Sequence, residues 1–291
     1  MGMRSYVVFS IGLALLAAGC ARPTDERTYT LQGQVLAVAA NRLEATIKHE
    51  EIKGLMPAMT MPYKVKEAKL LDGIVPGDLI TATLVVASND AYLTAVKKVG
   101  EAPLEKPPAT ASTDTPSASS GLELLRPGDA VPDTHFVDEN GTPRGFGSFR
   151  GTTVVLTFIY TRCPMPTFCP LMDRHFATIQ KAVKGDAALQ GRVHLVSVSF
   201  DPLTDTPPVL KQHAKTLAAD PAMWTFLTGD RDDIDRFAAR FGVSVVRATN
   251  DPHDITHTLR TAIIGADGKL VKVYTGNEWT PEQILADLHK T

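Results

Sequence analysis

The sequence predicts two domains of different class, a small all-β domain followed by an α/β domain with a mixed central sheet. Residues 28–100 contain short alternating or apolar runs separated by turn residues, whereas residues 122–291 alternate between strand-like and helical patterns. Residues 101–121 are dense in Pro, Ala, Ser and Thr and cannot bury enough apolar surface to order themselves. We therefore expect a linker between the two domains.

The first domain is expected to be a five-stranded, OB-like barrel. Its expected strands are residues 29–38, 42–48, 79–87 and 92–99, with a further extended segment after Pro57. They are separated by an Asn, by a Pro-rich stretch, by Pro76-Gly77-Asp78 and by Asn89-Asp90, which are turn signals.

The second domain is expected to place two largely apolar strands, residues 154–160 and 193–200, in the middle of its sheet. Helical patterns cover residues 171–183, 208–218, 232–241 and 281–288. Residues 261–264 and 270–274 flank an Asp-Gly turn and are typical of a hairpin.

The first residues resemble a bacterial lipoprotein signal. Arg4 is followed by an apolar stretch and then by small residues directly before Cys20. The resemblance implies that residues 1–19 are removed, that Cys20 becomes the lipidated N-terminus and that residues 20–27 form a tether. The alternative is an uncleaved anchor, although the apolar run is shorter than the ~20 residues of a spanning helix. Either way we expect a location in the cell envelope, facing the periplasm or extracytoplasmic space.

Charge excludes one class of partner. The 30 Lys and Arg residues nearly balance the 32 Asp and Glu residues, and no basic block is present in the sequence. The sequence therefore offers no basic patch for a nucleic acid, and DNA and RNA are excluded as expected partners.

Cys163 and Cys169 are the two cysteines of the expected folded region, and they lie between an apolar strand and a helix. Pro170 is well placed as the first helical residue, which would make Cys169 the helix cap. The helix dipole, with Arg162 and Arg174 close in sequence, is expected to acidify at least one thiol.

Three interpretations of this dithiol are open: a soft-metal site, a redox couple, or a structural disulfide. Three prolines at positions 164, 166 and 170 stiffen the loop. A loop between a central strand and a helix is where α/β folds place functional sites, which favours the first two.

The region from about residue 132 to 291 resembles the Sco/SenC family, thioredoxin-like proteins that handle copper for cytochrome oxidase assembly. The segments that carry the resemblance are Val154-Val-Leu-Thr-Phe-Ile-Tyr-Thr-Arg-Cys163-Pro, Phe168-Cys169-Pro, Val196-Ser-Val-Ser-Phe-Asp201-Pro, Asp205-Thr206-Pro207 and Thr256-His257-Thr258. The resemblance implies a thioredoxin-like fold with copper held by Cys163, Cys169 and His257. His253 is a nearby competitor of His257. Five residues separate the cysteines here, whereas the family usually has three.

Two thiolates and an imidazole suit Cu(I) and can also hold Cu(II). A thiol-disulfide reductase that uses Cys163 and Cys169 as a redox couple is the alternative, and enzymatic activity is left open. Thioredoxin-like oxidoreductases usually carry a cis-proline just before the later strand that packs beside the active-site loop. In this chain Arg260-Thr261 leads directly into Ala262 without a proline, which argues against a general oxidoreductase.

A second candidate site lies in the barrel. Met59 and Met61 would project from one face of a strand, with His49 reachable from the preceding strand, and thioethers select Cu(I) or Ag(I). The alternative is that these methionines fill the core. The stretch resembles the periplasmic copper-binding CusF type, whose ligands match His49, Met59 and Met61. Met56 stands where that family has a tryptophan, as a further ligand or a cover.

These observations predict an exported, lipid-anchored copper metallochaperone with two copper sites. It would deliver copper to a cuproenzyme, with a cytochrome c oxidase subunit as the recipient implied by resemblance. A copper sensor or a sink for copper resistance would share the same ligands.

Overall fold

The computed structural model describes residues 26–56, 58–104, 123–247 and 255–291. The expected signal peptide, Cys20, His253 and most of the expected linker lie outside these ranges. Within them, no helix combines the length and the apolar character needed to cross a bilayer.

The first domain is a closed five-stranded barrel with strand order β1-β2-β3-β5-β4, which confirms the expected architecture. The strands are β1 (Arg27–Val38), β2 (Glu44–His49), β3 (Met59–Val65), β4 (Asp78–Val86) and β5 (Ala91–Glu101). A parallel pairing of β3 with β5 and an antiparallel pairing of β1 with β4 close it. Every second residue of β2 and β3 is buried, because alternate side chains of a strand face the barrel interior.

Gly33 allows β1 and β2 to approach closely at one end of the barrel. It lies opposite His49 in the β1–β2 register. A Cβ at this position would lie 2.7 Å from His49 Cα and 2.5 Å from the Lys48 carbonyl oxygen. Only glycine fits there without moving backbone atoms of the strand that carries His49.

The second domain is built on a seven-stranded mixed sheet with strand order β14-β13-β8-β9-β10-β6-β7. Its strands are β6 (His135–Asp138), β7 (Pro143–Gly145), β8 (Thr153–Ile159), β9 (Val193–Ser199), β10 (Trp224–Thr228), β13 (Arg260–Ile264) and β14 (Leu270–Thr275). Two further strands, β11 (Val245–Arg247) and β12 (Ile255–His257), pair only with each other among the described strands. The helices are α1 (Cys169–Lys184), α2 (Pro207–Thr216), α3 (Arg231–Arg240) and α4 (Pro281–Leu288).

Strand β8 lies at the centre of this domain, and all seven of its residues are buried. It runs parallel to β9 and antiparallel to β13, as expected for a mixed sheet. Helix α1 buries Met172, Phe176, Ile179 and Val183, whose spacing places them on one helical face.

Two expectations need correction. Helix α1 begins at Cys169, and Phe168 is its N-cap, so Cys169 is the first helical residue and not the cap. Strand β10 was not expected from the sequence, although all five of its residues are buried beside β9. Its short apolar run between two helices carries no periodicity that distinguishes a strand from a helix.

The two domains touch through the cysteine loop. Met165 belongs to the barrel's cluster of buried side chains, and Cys163 and Phe168 pack against the same cluster. An exposed ion pair between Lys64 and Glu278, 3.2 Å apart, also bridges the domains but contributes little in water.

Candidate metal centres

Sheet topology brings three separate segments to one edge of the α/β domain. The carboxyl ends of the parallel strands β8 and β9 lie at the same edge. Strand β13 is antiparallel to β8, so its first residues start at that edge. The cysteine loop, which follows β8, therefore lies beside His257, which ends β12 shortly before β13.

The structure brings all three expected thiol-site ligands together. Cys163 and Cys169 are free thiols. The Cys169 Sγ lies 3.8 Å from His257 Nε2, and the Cys163 sulfur interacts with both the thiol and the backbone N–H of Cys169. No three His, Cys, Asp or Glu side chains of the described residues are already arranged to hold a metal ion. Binding a metal here therefore requires a side-chain adjustment.

The two thiols differ in acidity. Hydrogen bonding from Cys169 lowers the pKa of Cys163, whereas burial raises the pKa of Cys169 well above that of an ordinary thiol. One thiol is thus acidified as expected, but the arginines are not the cause. Arg162 pairs with Asp201 at 3.1 Å, and Arg174 donates to the Pro166 carbonyl oxygen at 2.8 Å.

His257 presents a ring nitrogen without a hydrogen to Cys169. Its Nδ1 lies 3.2 Å from the Thr258 carbonyl oxygen, and because a carbonyl only accepts, Nδ1 carries the hydrogen. The lone pair of Nε2 therefore faces Cys169. Burial lowers the pKa of His257 to about 4, so the ring is neutral at pH 7. Phe200 and Tyr160 hold the ring, with centroids 4.3 and 5.7 Å away.

Asp205 anchors the start of the cysteine loop. This fully buried carboxylate accepts hydrogen bonds from the Thr161 N–H at 2.9 Å, from the Ser199 hydroxyl at 2.6 Å and from the Thr161 hydroxyl. Sequence reasoning gave Asp205 no role in positioning the site, because its partner Thr161 is 44 positions away. The signal available was its place beside prolines in a segment that resembles the Sco/SenC pattern.

The barrel site is built by strand register. His49 pairs directly with Met59 and Ile47 with Met61, so His49, Met59 and Met61 share the interior face. His49 is 2% exposed, and its Nδ1 lies 2.6 Å from the Glu50 carbonyl oxygen. Its Nε2 is buried and has no hydrogen-bond partner among the described residues. Burial also lowers the pKa of His49, which keeps the ring neutral and able to coordinate a metal.

Met56 is buried close to this site. The Tyr63 hydroxyl donates to its sulfur at 3.8 Å, and the Tyr63 ring stands edge-on to the His49 ring with centroids 5.6 Å apart. Tyr63 therefore contacts both Met56 and His49.

The two candidate sites open onto one cleft of about 360 Å³. Its lining includes Met56, Met59, Met61, Cys163, Met165 and His257. His49 and Cys169 do not line it. Sequence reasoning did not anticipate the shared cleft or the role of Met165, and the available signal was a methionine within the unusually long spacer between the cysteines.

The fold and the two candidate sites together define a two-domain protein whose thiol-imidazole and thioether-imidazole donor groups suit soft metals. Residues 126–291 match the SCO1/SenC family, and the chain belongs to that family. Residues 28–98 match the copper binding periplasmic protein CusF, so the chain is a Sco-family copper-binding protein with an N-terminal CusF-like domain.

Individual relatives agree with this assignment. The SCO1 protein homolog of Bacillus subtilis is 31% identical over 155 residues, which cover 53% of this chain and 78% of that protein. A putative copper-binding protein of Stutzerimonas stutzeri is 31% identical over 145 residues, or 48% of this chain and 67% of that one. The crystal structure of a SCO1/SenC family lipoprotein from Bacillus anthracis superposes with a TM-score of 0.50 at 30% identity, covering 57% of this chain and 98% of the other. The expected barrel followed by a thioredoxin-like α/β domain is confirmed.

Proposed function

We propose that this protein is an exported, lipid-anchored metallochaperone that carries copper at two sites and delivers it to a cuproenzyme. The observation that carries the proposal is the contact of Cys169 with the unprotonated Nε2 of His257 at 3.8 Å and with the second thiol, Cys163. His49, Met59 and Met61 form the second donor set, and its main support is the buried His49 Nε2, which has no hydrogen-bond partner in the part of the chain that the structure describes.

The donors fit copper as cargo. Thiolate, thioether and imidazole are the ligands that select Cu(I), and the thiol-imidazole set also accepts Cu(II). Binding at Cys163 and Cys169 releases their thiol protons, because the thiolate is the ligand. At the barrel site no proton has to leave, since thioethers and a neutral imidazole coordinate as they are.

The family supports the location and the recipient that we propose. The matched CusF family is periplasmic by description, and a lipid on Cys20 would hold the chain at a membrane on that side. The Sco family is linked to copper delivery to cytochrome c oxidase, so a copper-receiving subunit of that enzyme is the recipient we propose.

Copper stoichiometry tests the proposal. The detergent-solubilised full chain is titrated with Cu(I) under anaerobic reducing conditions, with a chromogenic Cu(I) chelator as competitor. The wild type should hold two copper ions, and Cys163→Ser and Met59→Leu should each hold one. Met223→Leu, a buried methionine of the α/β core, is the matched control and should retain both. Equal copper in the wild type and in both site variants would overturn the proposal.

A reductase activity is a second candidate, favoured by the opposite pKa shifts of two thiols in contact. The Cys163 thiolate would attack a disulfide of the recipient, and Cys169 would then resolve the mixed disulfide. Two electrons pass to the recipient, which leaves with two thiols, and Cys163 and Cys169 become a disulfide. Turnover of a model disulfide that is unaffected by His257→Ala would favour the reductase. Loss of copper in that variant without appreciable turnover in the wild type would favour the chaperone.

A further inference from the structure

The loop between the two cysteines reaches into the other domain. Met165, within this loop, is 5% exposed, and its side chain belongs to the barrel's buried cluster together with Met56 and Met61. Phe168 of the same loop packs against that cluster. The loop thus carries a thioether across the domain boundary.

The same loop also touches the thiol site. The Cys163 Sγ lies 3.8 Å from the Met165 carbonyl oxygen. Cys163 packs against the hydrophobic cores of both domains. One short segment therefore contacts the methionine-rich end of the barrel and carries the thiol that faces the cleft.

Sulfur- and nitrogen-bearing side chains of both domains line the cleft. Met59 and Met61 line it from the barrel, Cys163 and His257 line it from the α/β domain, and Met165 lines it as well. A volume of about 360 Å³ is ample for a single ion. A metal ion leaving the methionines thus meets sulfur donors of the facing domain within the same cleft.

We propose that Met165 supplies a thioether to copper bound at the barrel site, and that copper moves from there directly to Cys163 and Cys169 within the same chain. This inference rests on the proposed function. The direction follows from ligand chemistry, because an anionic thiolate binds Cu(I) more strongly than a neutral thioether.

The step balances without a redox partner. Bonds from Cu(I) to the thioether sulfurs and to His49 Nε2 break, and bonds to two thiolate sulfurs and to His257 Nε2 form. Two thiol protons pass to solvent. Copper remains Cu(I), and no electron is transferred.

The ligand role of Met165 is tested in the full chain carrying Cys163→Ser and Cys169→Ser, which leaves only the barrel site for one Cu(I). X-ray absorption counts the sulfur neighbours of the bound ion. Adding Met165→Leu should remove one sulfur neighbour and weaken Cu(I) binding about 10-fold or more. Met223→Leu in the same background should change neither quantity. An unchanged sulfur count in Met165→Leu overturns the ligand role.

The transfer step is tested with both cysteines present. One equivalent of Cu(I) is mixed rapidly with the reduced full chain, and the thiolate-to-Cu(I) ultraviolet absorption is followed. The wild-type rate should be independent of protein concentration, and Met165→Leu should slow it about 10-fold or more while still holding two copper ions at equilibrium.

Each other outcome counts against the inference. A rate proportional to protein concentration, or a wild-type rate in Met165→Leu, overturns direct transfer. Slowing in Met165→Ala but not in Met165→Leu would show that Met165 acts by packing and not through its sulfur. A wild type that holds fewer than two copper ions overturns the proposed function and this inference with it, whereas two ions with an unchanged rate overturn this inference alone.

Discussion

The two candidate metal sites are built in opposite ways. In the barrel, His49, Met59 and Met61 lie on two paired strands, and the register alone places them on one face. In the α/β domain, Cys169 and His257 are 88 positions apart and meet because β13 runs antiparallel to β8. A site made by neighbouring strands depends on local pairing, whereas a site made by distant segments depends on the whole sheet.

The two candidate sites also differ in the chemistry of their donor groups. The barrel donors are neutral groups that coordinate without losing a proton. The thiol site holds two groups whose pKa values are shifted in opposite directions by their contact and burial. Metal binding at the thiol site would therefore release protons, whereas metal binding in the barrel would not.

The largest effect is expected from Cys169→Ser. This substitution removes the buried thiol that contacts both Cys163 and His257 Nε2, so Cu(I) affinity at the thiol site should fall at least about 100-fold. Affinity at the barrel site should stay within about twofold, as measured by competition with a Cu(I) chelator. A comparable loss at both sites would show that the two sites do not bind independently.

Asp205→Asn should have the next largest effect. An amide keeps one acceptor but places an NH₂ group against the donors of Thr161 and Ser199, which costs about 2–3 kcal/mol of unfolding free energy. The α/β domain should melt at lower temperature in calorimetry, with weaker copper binding at the thiol site. Ser199→Ala removes one of these donors and serves as a milder comparison. Unchanged melting in Asp205→Asn would contradict the anchoring role.

Gly33→Ala tests the barrel side of the comparison. The added Cβ would clash with the backbone of Lys48 and His49, so barrel stability should fall by about 1–3 kcal/mol and only the barrel site should lose copper affinity. Gly100→Ala is the matched control, because its Cβ would meet Leu79 side-chain atoms at an ordinary 3.5 Å. Equal effects of the two substitutions on copper binding would exclude a specific role for Gly33.

The smallest effect is expected on the stability of the protein at acidic pH. Burial lowers the pKa of His194, which lies outside both metal sites, to about 4. An unfolded histidine takes up a proton below about pH 6.5 while this folded one does not, so stability falls as pH decreases from about 6.5 to 4. In His194→Gln the apo protein should lose about 1–2 kcal/mol less over this window in denaturant unfolding. An identical loss of unfolding free energy in the wild type and in His194→Gln would contradict the lowered pKa of His194 as its cause.

Much of this architecture could be predicted from local patterns. The barrel strands, the four helices and the hairpin of β13 and β14 follow from periodicity and turn residues, and the spacing of Met59 and Met61 places them on one face of a strand. The predictions that were wrong concerned neighbours: Phe168, and not Cys169, caps α1, and Arg162 pairs with Asp201. Nearness in sequence does not decide which way a side chain turns when a stronger partner is available.

The sequence by itself determined which soft donors this protein carries and how they are spaced on each strand or loop, because side-chain periodicity is a local property of the backbone. The tertiary structure alone decided that candidate donors of both sites line one cleft and that Met165 crosses from one domain into the core of the other. These contacts join residues far apart in the chain, and they form because burying the apolar loop between the domains removes it from water.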